Sequence, residues 1–164
     1  MRIDLITAVV GMLAVQATPR VAPPNLSGEW KLASATLLRP GDADEQPSKQ
    51  VVTEYLPFNC GQQCRITQRD STLTIEDAKL DVSAPAASAK VTIVVDGRTH
   101  AVVNLVTKEH TNDTVGQWQD GKLLLTTTPF GKPIVQTISI EQGQLVVTRF
   151  AGEVRQTLHY AKKQ

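Results

Sequence analysis

Short strand-like segments separated by two-residue turn signals run through most of this sequence. The turn dipeptides are Asp96-Gly97, Asp120-Gly121, Gln142-Gly143 and Ala151-Gly152. Asp-Gly favours the tight turn of a β-hairpin, because that turn needs positive φ at its central residues. The segments joined in this way are 91–95, 99–106, 115–119, 122–128, 134–140, 145–150 and 154–160. Since no segment shows sustained helical periodicity, the sequence predicts an all-β antiparallel meander.

The first half of the sequence extends the same pattern with longer interruptions. Residues 29–38 form the first predicted strand, and 65–68 pairs with 72–75 around Asp70. Residues 79–82 add a further strand or sheet edge, and 39–49 and 83–89 are polar, Pro-containing loops. We therefore expect about 8–10 strands, an estimate based on turn spacing. A sheet of hairpins keeps two exposed edges unless it closes, so we predict a lipocalin-like barrel or a half-open barrel.

Alternation along the last three strands predicts which side chains face the barrel interior. The apolar set, expected inside, is Ile134, Ile138, Ile140, Val146, Phe150, Val154, Leu158 and Tyr160. The interleaved polar set, expected outside, is Gln136, Arg149, Arg155 and Thr157.

The N-terminal residues resemble an export signal. Arg2 precedes an apolar run at 5–15, and small residues lead to Ala17. The run is too short to span a bilayer. We predict a signal peptide at 1–17, a Pro-rich spacer at 18–27 and a barrel domain at 28–162, with secretion to the periplasm or the medium. The alternative is an N-terminal strand or helix that packs on the domain.

Two cysteines lie four residues apart. In an extended strand Cys60 and Cys64 would be about 13 Å apart, too far for a disulfide, so a bridge requires a turn, which Gly61 permits. Export to an oxidising compartment favours a structural bridge. The alternative is a thiol pair that binds copper or undergoes redox chemistry, with a third ligand from His100, His110 or His159. We expect no metal site.

Charge and motifs exclude several function classes. The formal net charge is +1 with interspersed signs, so nucleic acid is not an expected partner. The common hydrolase, zinc-protease and nucleotide-binding motifs are absent from the sequence. We therefore expect no enzymatic activity and no cofactor, and the sequence identifies no ligand-contacting residue.

Two motifs carry a family resemblance. Gly28-Glu29-Trp30 opens the first strand, and Trp118 precedes the Asp120-Gly121 hairpin that continues with Lys122-Leu123. These features resemble exported bacterial lipocalin-like proteins of the calycin group. The resemblance implies that Trp30 fills the closed end of the barrel, that Gly28 permits close chain entry, and that Arg149 or Arg155 covers the Trp30 ring. Lipocalins usually place a helix after the barrel, and its absence before Gln164 favours a looser calycin-type barrel.

The resemblance and the apolar inner face suggest two functions. The first is binding of a small apolar molecule in the barrel interior. The second is a protein-interaction or protease-inhibitor module without a small-molecule ligand, in which the Pro-rich arm at 19–24 docks in a partner.

Overall fold

A computed structural model describes residues 22–48, 58–77, 90–106, 108, 110–128 and 131–164. These residues form eleven β-strands, consistent with their content of Val, Ile, Leu and Thr. The strands are β1 (Gly28–Leu38), β2 (Gln46–Pro47), β3 (Gln63–Arg69), β4 (Thr72–Asp77), β5 (Lys90–Val94), β6 (Thr99–Val103), β7 (His110–Gln119), β8 (Lys122–Thr127), β9 (Ile134–Glu141), β10 (Gln144–Ala151) and β11 (Val154–Lys162).

All pairings in the sheet are antiparallel, and the predicted meander is confirmed. The strand order is β5-β4-β3-β1-β11-β10-β9-β8-β7-β6, and the short β2 pairs only with β1. The two outer strands of this order approach each other through a bridge between Val91 and Asn104. The Leu105 amide also donates to the Lys90 carbonyl at 2.7 Å. The sheet therefore curls into a nearly closed barrel.

The two ends of the barrel differ in their connections. At the turn end, tight hairpins join β3 to β4, β5 to β6, β7 to β8 and β9 to β10, beside the start of β1 and the end of β11. Asp120, Gly121, Gln142 and Gly143 all have positive φ there, as the predicted turns require. At the loop end, longer connections follow β1, β6 and β8.

The inner face agrees with the predicted alternation on β11 and for the apolar residues of β9, but not for Gln136 on β9 and not on β10. Leu145, Val147 and Arg149 face the interior there, whereas Phe150 is 40% exposed. The two-residue turn at Gln142-Gly143 fixes this register, because it pairs Leu145 with Ile140 and Arg149 with Gln136. Directly paired residues share a face of the sheet. The predictions that Val146 and Phe150 face inward, and that Gln136 and Arg149 face outward, are therefore wrong.

Several predicted segments lie outside the described residues. They are the signal segment 1–17, the start of the spacer at 18–21, the strand at 79–82 and the loop at 83–89. Within the ranges that the structure does describe, we find no helix with the length and apolar character needed to cross a membrane.

Candidate functional site

Trp30 fills the turn end of the barrel. Its ring is buried, and its Nε1 donates a hydrogen bond to the Leu26 carbonyl at 3.0 Å. Trp30 pairs with Lys162 across β1 and β11, and the Lys162 Nζ lies 5.7 Å from the ring centroid. Gly28 has a φ of 151°, and a Cβ there would lie 2.9 Å from Lys162 Cε. The glycine thus leaves room for the lysine to cover the ring.

Lys162 occupies the position that the resemblance assigned to Arg149 or Arg155. Arg155 pairs with Leu38 toward the loop end, and its Nη2 contacts the Glu45 carboxylate at 2.7 Å. Arg149 lies on the inner face of β10, opposite Gln156. The strand register separates both arginines from Trp30, because Lys162 is the residue of β11 that pairs with it.

A row of polar side chains crosses the inner wall on three adjacent strands. Gln136 on β9, Arg149 on β10 and Gln156 on β11 are paired in register. They are 1%, 4% and 5% exposed, respectively. We refer to these three residues as the polar row. It interrupts a wall that is otherwise largely Val, Leu and Ile.

Arg149 brings a positive charge into the barrel. It is the one charged side chain among the buried residues of the described ranges. Burial lowers the pKa of Arg149 to about 10, while the nearby Tyr160 acts in the opposite direction. The guanidinium therefore remains protonated at neutral pH, and its desolvation opposes folding.

Residues 58–62, which we call the plug, precede β3, and the start of this segment is buried beside the polar row. The Phe58 amide donates to Gln136 Oε1 at 3.2 Å, and Gln136 Nε2 donates to the Phe58 carbonyl at 2.9 Å. Further along, the Tyr160 hydroxyl donates to the Gly61 carbonyl at 3.3 Å. Phe58 and Cys60 are fully buried. The chain thus places its own backbone between the inner faces of β9 and β11.

The predicted turn at Gly61 is present within the plug. Gly61 has a φ of 51°, and its amide donates to Asn59 Oδ1 at 3.0 Å. The Cα atoms of Cys60 and Cys64 are 4.8 Å apart, and the pair is at disulfide distance. Cys64 belongs to the inner face of β3, so the bridge joins the plug to the barrel wall.

Two of the three histidines considered as metal ligands, His100 and His110, contact nearby aspartates. His100 Nε2 lies 2.9 Å from Asp96 Oδ1, and His110 Nε2 lies 3.0 Å from Asp113 Oδ1. Across the residues that the structure describes, no group of three or more His, Cys, Asp or Glu side chains is placed to hold a metal ion. The 4.8 Å separation of the Cys60 and Cys64 Cα atoms fits a structural bridge.

The sequence analysis missed Gln136, Arg149 and Phe58 as neighbours in one site. The register of the β9–β10 hairpin could have identified the first two, because a two-residue turn fixes the pairing. With Ile140 inside, its partner Leu145 must be inside, and so must Val147 and Arg149. The position of Phe58 depends on contacts 78 residues apart in the sequence. The local pattern of apolar and polar residues in the sequence does not reveal contacts between such distant positions.

The nearly closed antiparallel meander, with Trp30 at one end, is an up-and-down β-barrel. Its structure is similar to that of the fluorescent protein UnaG, with a TM-score of 0.55 and 17% identity over 84% of this chain and 97% of the other. A point mutant of UnaG matches with a TM-score of 0.56 and 18% identity, over 85% of this chain and 96% of the other. At this identity the similarity concerns the fold. No protein-family model and no curated protein sequence matches the chain.

Proposed function

We propose that the barrel interior binds a small, largely apolar molecule whose anionic group lies beside Arg149. The observation that carries this proposal is the placement of a protonated guanidinium on the inner face of an apolar barrel. The calycin-type fold supports it, because small barrels of this kind can hold one small ligand.

The energetics favour a ligand with two chemical parts. An anion about 4 Å from the guanidinium gains about 4 kcal/mol at an effective dielectric constant of about 20. Burial of an apolar body against Val, Leu and Ile adds about 25 cal/mol per Å² removed from water. An uncharged apolar molecule obtains only the second contribution, so the polar row favours amphipathic anions.

A comparison of the affinities of two matched ligands tests the proposal. Dodecanoate and dodecanol share an alkyl chain and differ in charge, and each is titrated by isothermal calorimetry. Arg149→Gln should weaken dodecanoate binding by about 10- to 100-fold, since a hydrogen bond to a charged group contributes about 1.5–3 kcal/mol. Dodecanol binding should be unchanged in this variant.

Arg155 provides the matched control. It lies on the next strand, faces outward and contacts Glu45. Arg155→Gln should therefore leave the affinities for both ligands unchanged. The proposal is overturned if neither ligand binds, or if Arg149→Gln and Arg155→Gln have equal effects on dodecanoate.

We also propose that the protein acts as an exported binding module without chemical turnover. The sequence at 1–17 and the Cys60–Cys64 pair at disulfide distance support export. The mass of the protein secreted by its own host should correspond to a chain starting near Thr18. An intact Met1 in the cell interior would contradict export.

A further inference from the structure

We infer that the plug is autoinhibitory: Phe58 occupies the space beside Arg149 that the ligand requires, and the ligand binds when Phe58 withdraws. This inference rests on the proposed function. It concerns a contact within the chain, and it predicts that weakening this contact strengthens ligand binding.

The position of Phe58 relative to Arg149 is the first argument. Gln136 and Arg149 are direct cross-strand partners on the inner face, and the Cβ atoms of such partners are about 4.5–5.5 Å apart. Gln136 uses its amide to bind both the N–H and the C=O of Phe58. The Phe58 backbone therefore lies against Gln136, the direct cross-strand neighbour of Arg149, where the anionic group of a ligand would lie.

The strength of this contact is the second argument. Two neutral hydrogen bonds hold the backbone N–H and C=O of Phe58, and each contributes about 0.5–1.5 kcal/mol net. The Phe58 ring adds burial comparable to that of one core side chain, about 1.5–3 kcal/mol. A ligand that pairs with Arg149 and buries its own apolar body offers interactions of similar magnitude. Exchange between the plug and the ligand is therefore energetically feasible.

The Cys60–Cys64 disulfide, which follows Phe58 in the chain, is the third argument. Cys60 is joined to Cys64 on β3, and the Gly61 carbonyl accepts a hydrogen bond from Tyr160. These attachments lie after Phe58 in the chain, so Phe58 can withdraw while Cys60 remains attached to the wall. A tethered group returns at high effective concentration when the ligand leaves.

The inference determines the sign of a mutational effect. When only a fraction of molecules is free of the plug, the apparent dissociation constant is the intrinsic constant divided by that fraction. Gln136→Met removes both hydrogen bonds to Phe58 and keeps the length of the side chain. We expect it to tighten dodecanoate binding by about 5- to 30-fold, the change that corresponds to about 1–2 kcal/mol.

Thr127→Val is the matched control. Thr127 is a buried inner-face residue on the neighbouring β8, and its hydroxyl lies 3.1 Å from that of Thr114. The substitution removes a buried polar contact without removing a hydrogen bond to Phe58, so dodecanoate affinity should not rise. A rise in both variants would indicate general loosening of the barrel and would overturn the inference.

Hydrogen exchange on the wild-type chain tests the inference without a variant. The Phe58 amide should exchange slowly in the free protein, because it is buried and bonded to Gln136. Saturating dodecanoate should increase exchange at Phe58 while it slows exchange on β9 and β10. Slower exchange at Phe58 would show that the ligand packs against a plug that stays in place.

The outcomes separate this inference from the proposed function. If dodecanoate binds in an Arg149-dependent way but Gln136→Met binds no more tightly than wild type, the proposed function stands and the autoinhibitory contact is rejected. If dodecanoate binds neither wild type nor Gln136→Met, both proposals are rejected.

Discussion

The turn end of the barrel and the polar row use polar groups in opposite ways. At the turn end, Trp30 is buried with its Nε1 bonded to the Leu26 carbonyl, and the charged Nζ of Lys162 lies 5.7 Å from the ring centroid. In the polar row, Arg149 is itself buried and its pKa is lowered to about 10. The first arrangement keeps charge near solvent, whereas the second places it inside.

This difference assigns different roles to two parts of the same wall. β11 contributes Lys162 to the turn end and Gln156 to the polar row. A satisfied aromatic residue beneath a lysine stabilises the fold. Burial of a cation carries a desolvation cost, and such departures from an apolar core are typical of functional sites. We therefore expect substitutions at the two regions to change stability in opposite directions.

The largest effect is expected from Trp30→Ala. Removal of a buried tryptophan leaves a cavity and costs about 3–5 kcal/mol in the free energy of unfolding. Urea denaturation followed by circular dichroism measures this loss. Trp118→Ala is the matched control, because Trp118 packs against the same core but is only partly buried. An equal loss in both variants would contradict a special role for the turn end.

Arg149→Met should have the opposite sign. Replacing the guanidinium with an apolar side chain of similar length removes its desolvation, so the free energy of unfolding should rise by about 1–3 kcal/mol at neutral pH. Dodecanoate binding should weaken in the same variant. Urea denaturation and calorimetry on one preparation measure both quantities. A loss of stability would contradict the contrast between the two regions.

The pH dependence of this difference follows from the lowered pKa. The pKa of Arg149 is about 10 in the folded chain, below the pKa of the unperturbed group. Between these values the unfolded chain holds the proton more strongly, so wild-type stability rises with pH relative to Arg149→Met. The free energy of unfolding of Arg149→Met should exceed that of wild type by a constant amount below pH 10, and this difference should decrease above pH 10.

The sequence predicted the barrel because its turns and alternation are local features. The dipeptides at Asp120-Gly121 and Gln142-Gly143 mark hairpins that the structure contains, and Trp30 has the buried position that the resemblance implied. The inner face of β10 was predicted incorrectly because Phe150 was treated as a core residue on hydrophobicity alone. Hairpin register was the stronger constraint, and it places Arg149 inside.

The residue over Trp30 could not be chosen from the sequence in the same way. The choice depends on how β1 pairs with β11, and these strands are separated by almost the whole domain. A bulge between Leu32 and Ser34 shifts that pairing by one residue. The same limit applied to Phe58, whose contact with Gln136 arises only in the folded barrel.

The smallest effect is expected from Lys162→Met. The cation over Trp30 is near the surface, and such contacts contribute about 0.5–1 kcal/mol, while methionine retains most of the apolar packing on the ring. Lys163→Met is the matched control, because Lys163 is the next residue and lies 3.6 Å from the Glu29 carboxylate rather than over the ring. Urea denaturation should show the loss only for Lys162→Met, and the tryptophan emission of that variant should change. If both variants lose the same stability without a change in emission, general surface electrostatics rather than the Trp30 contact would explain the loss.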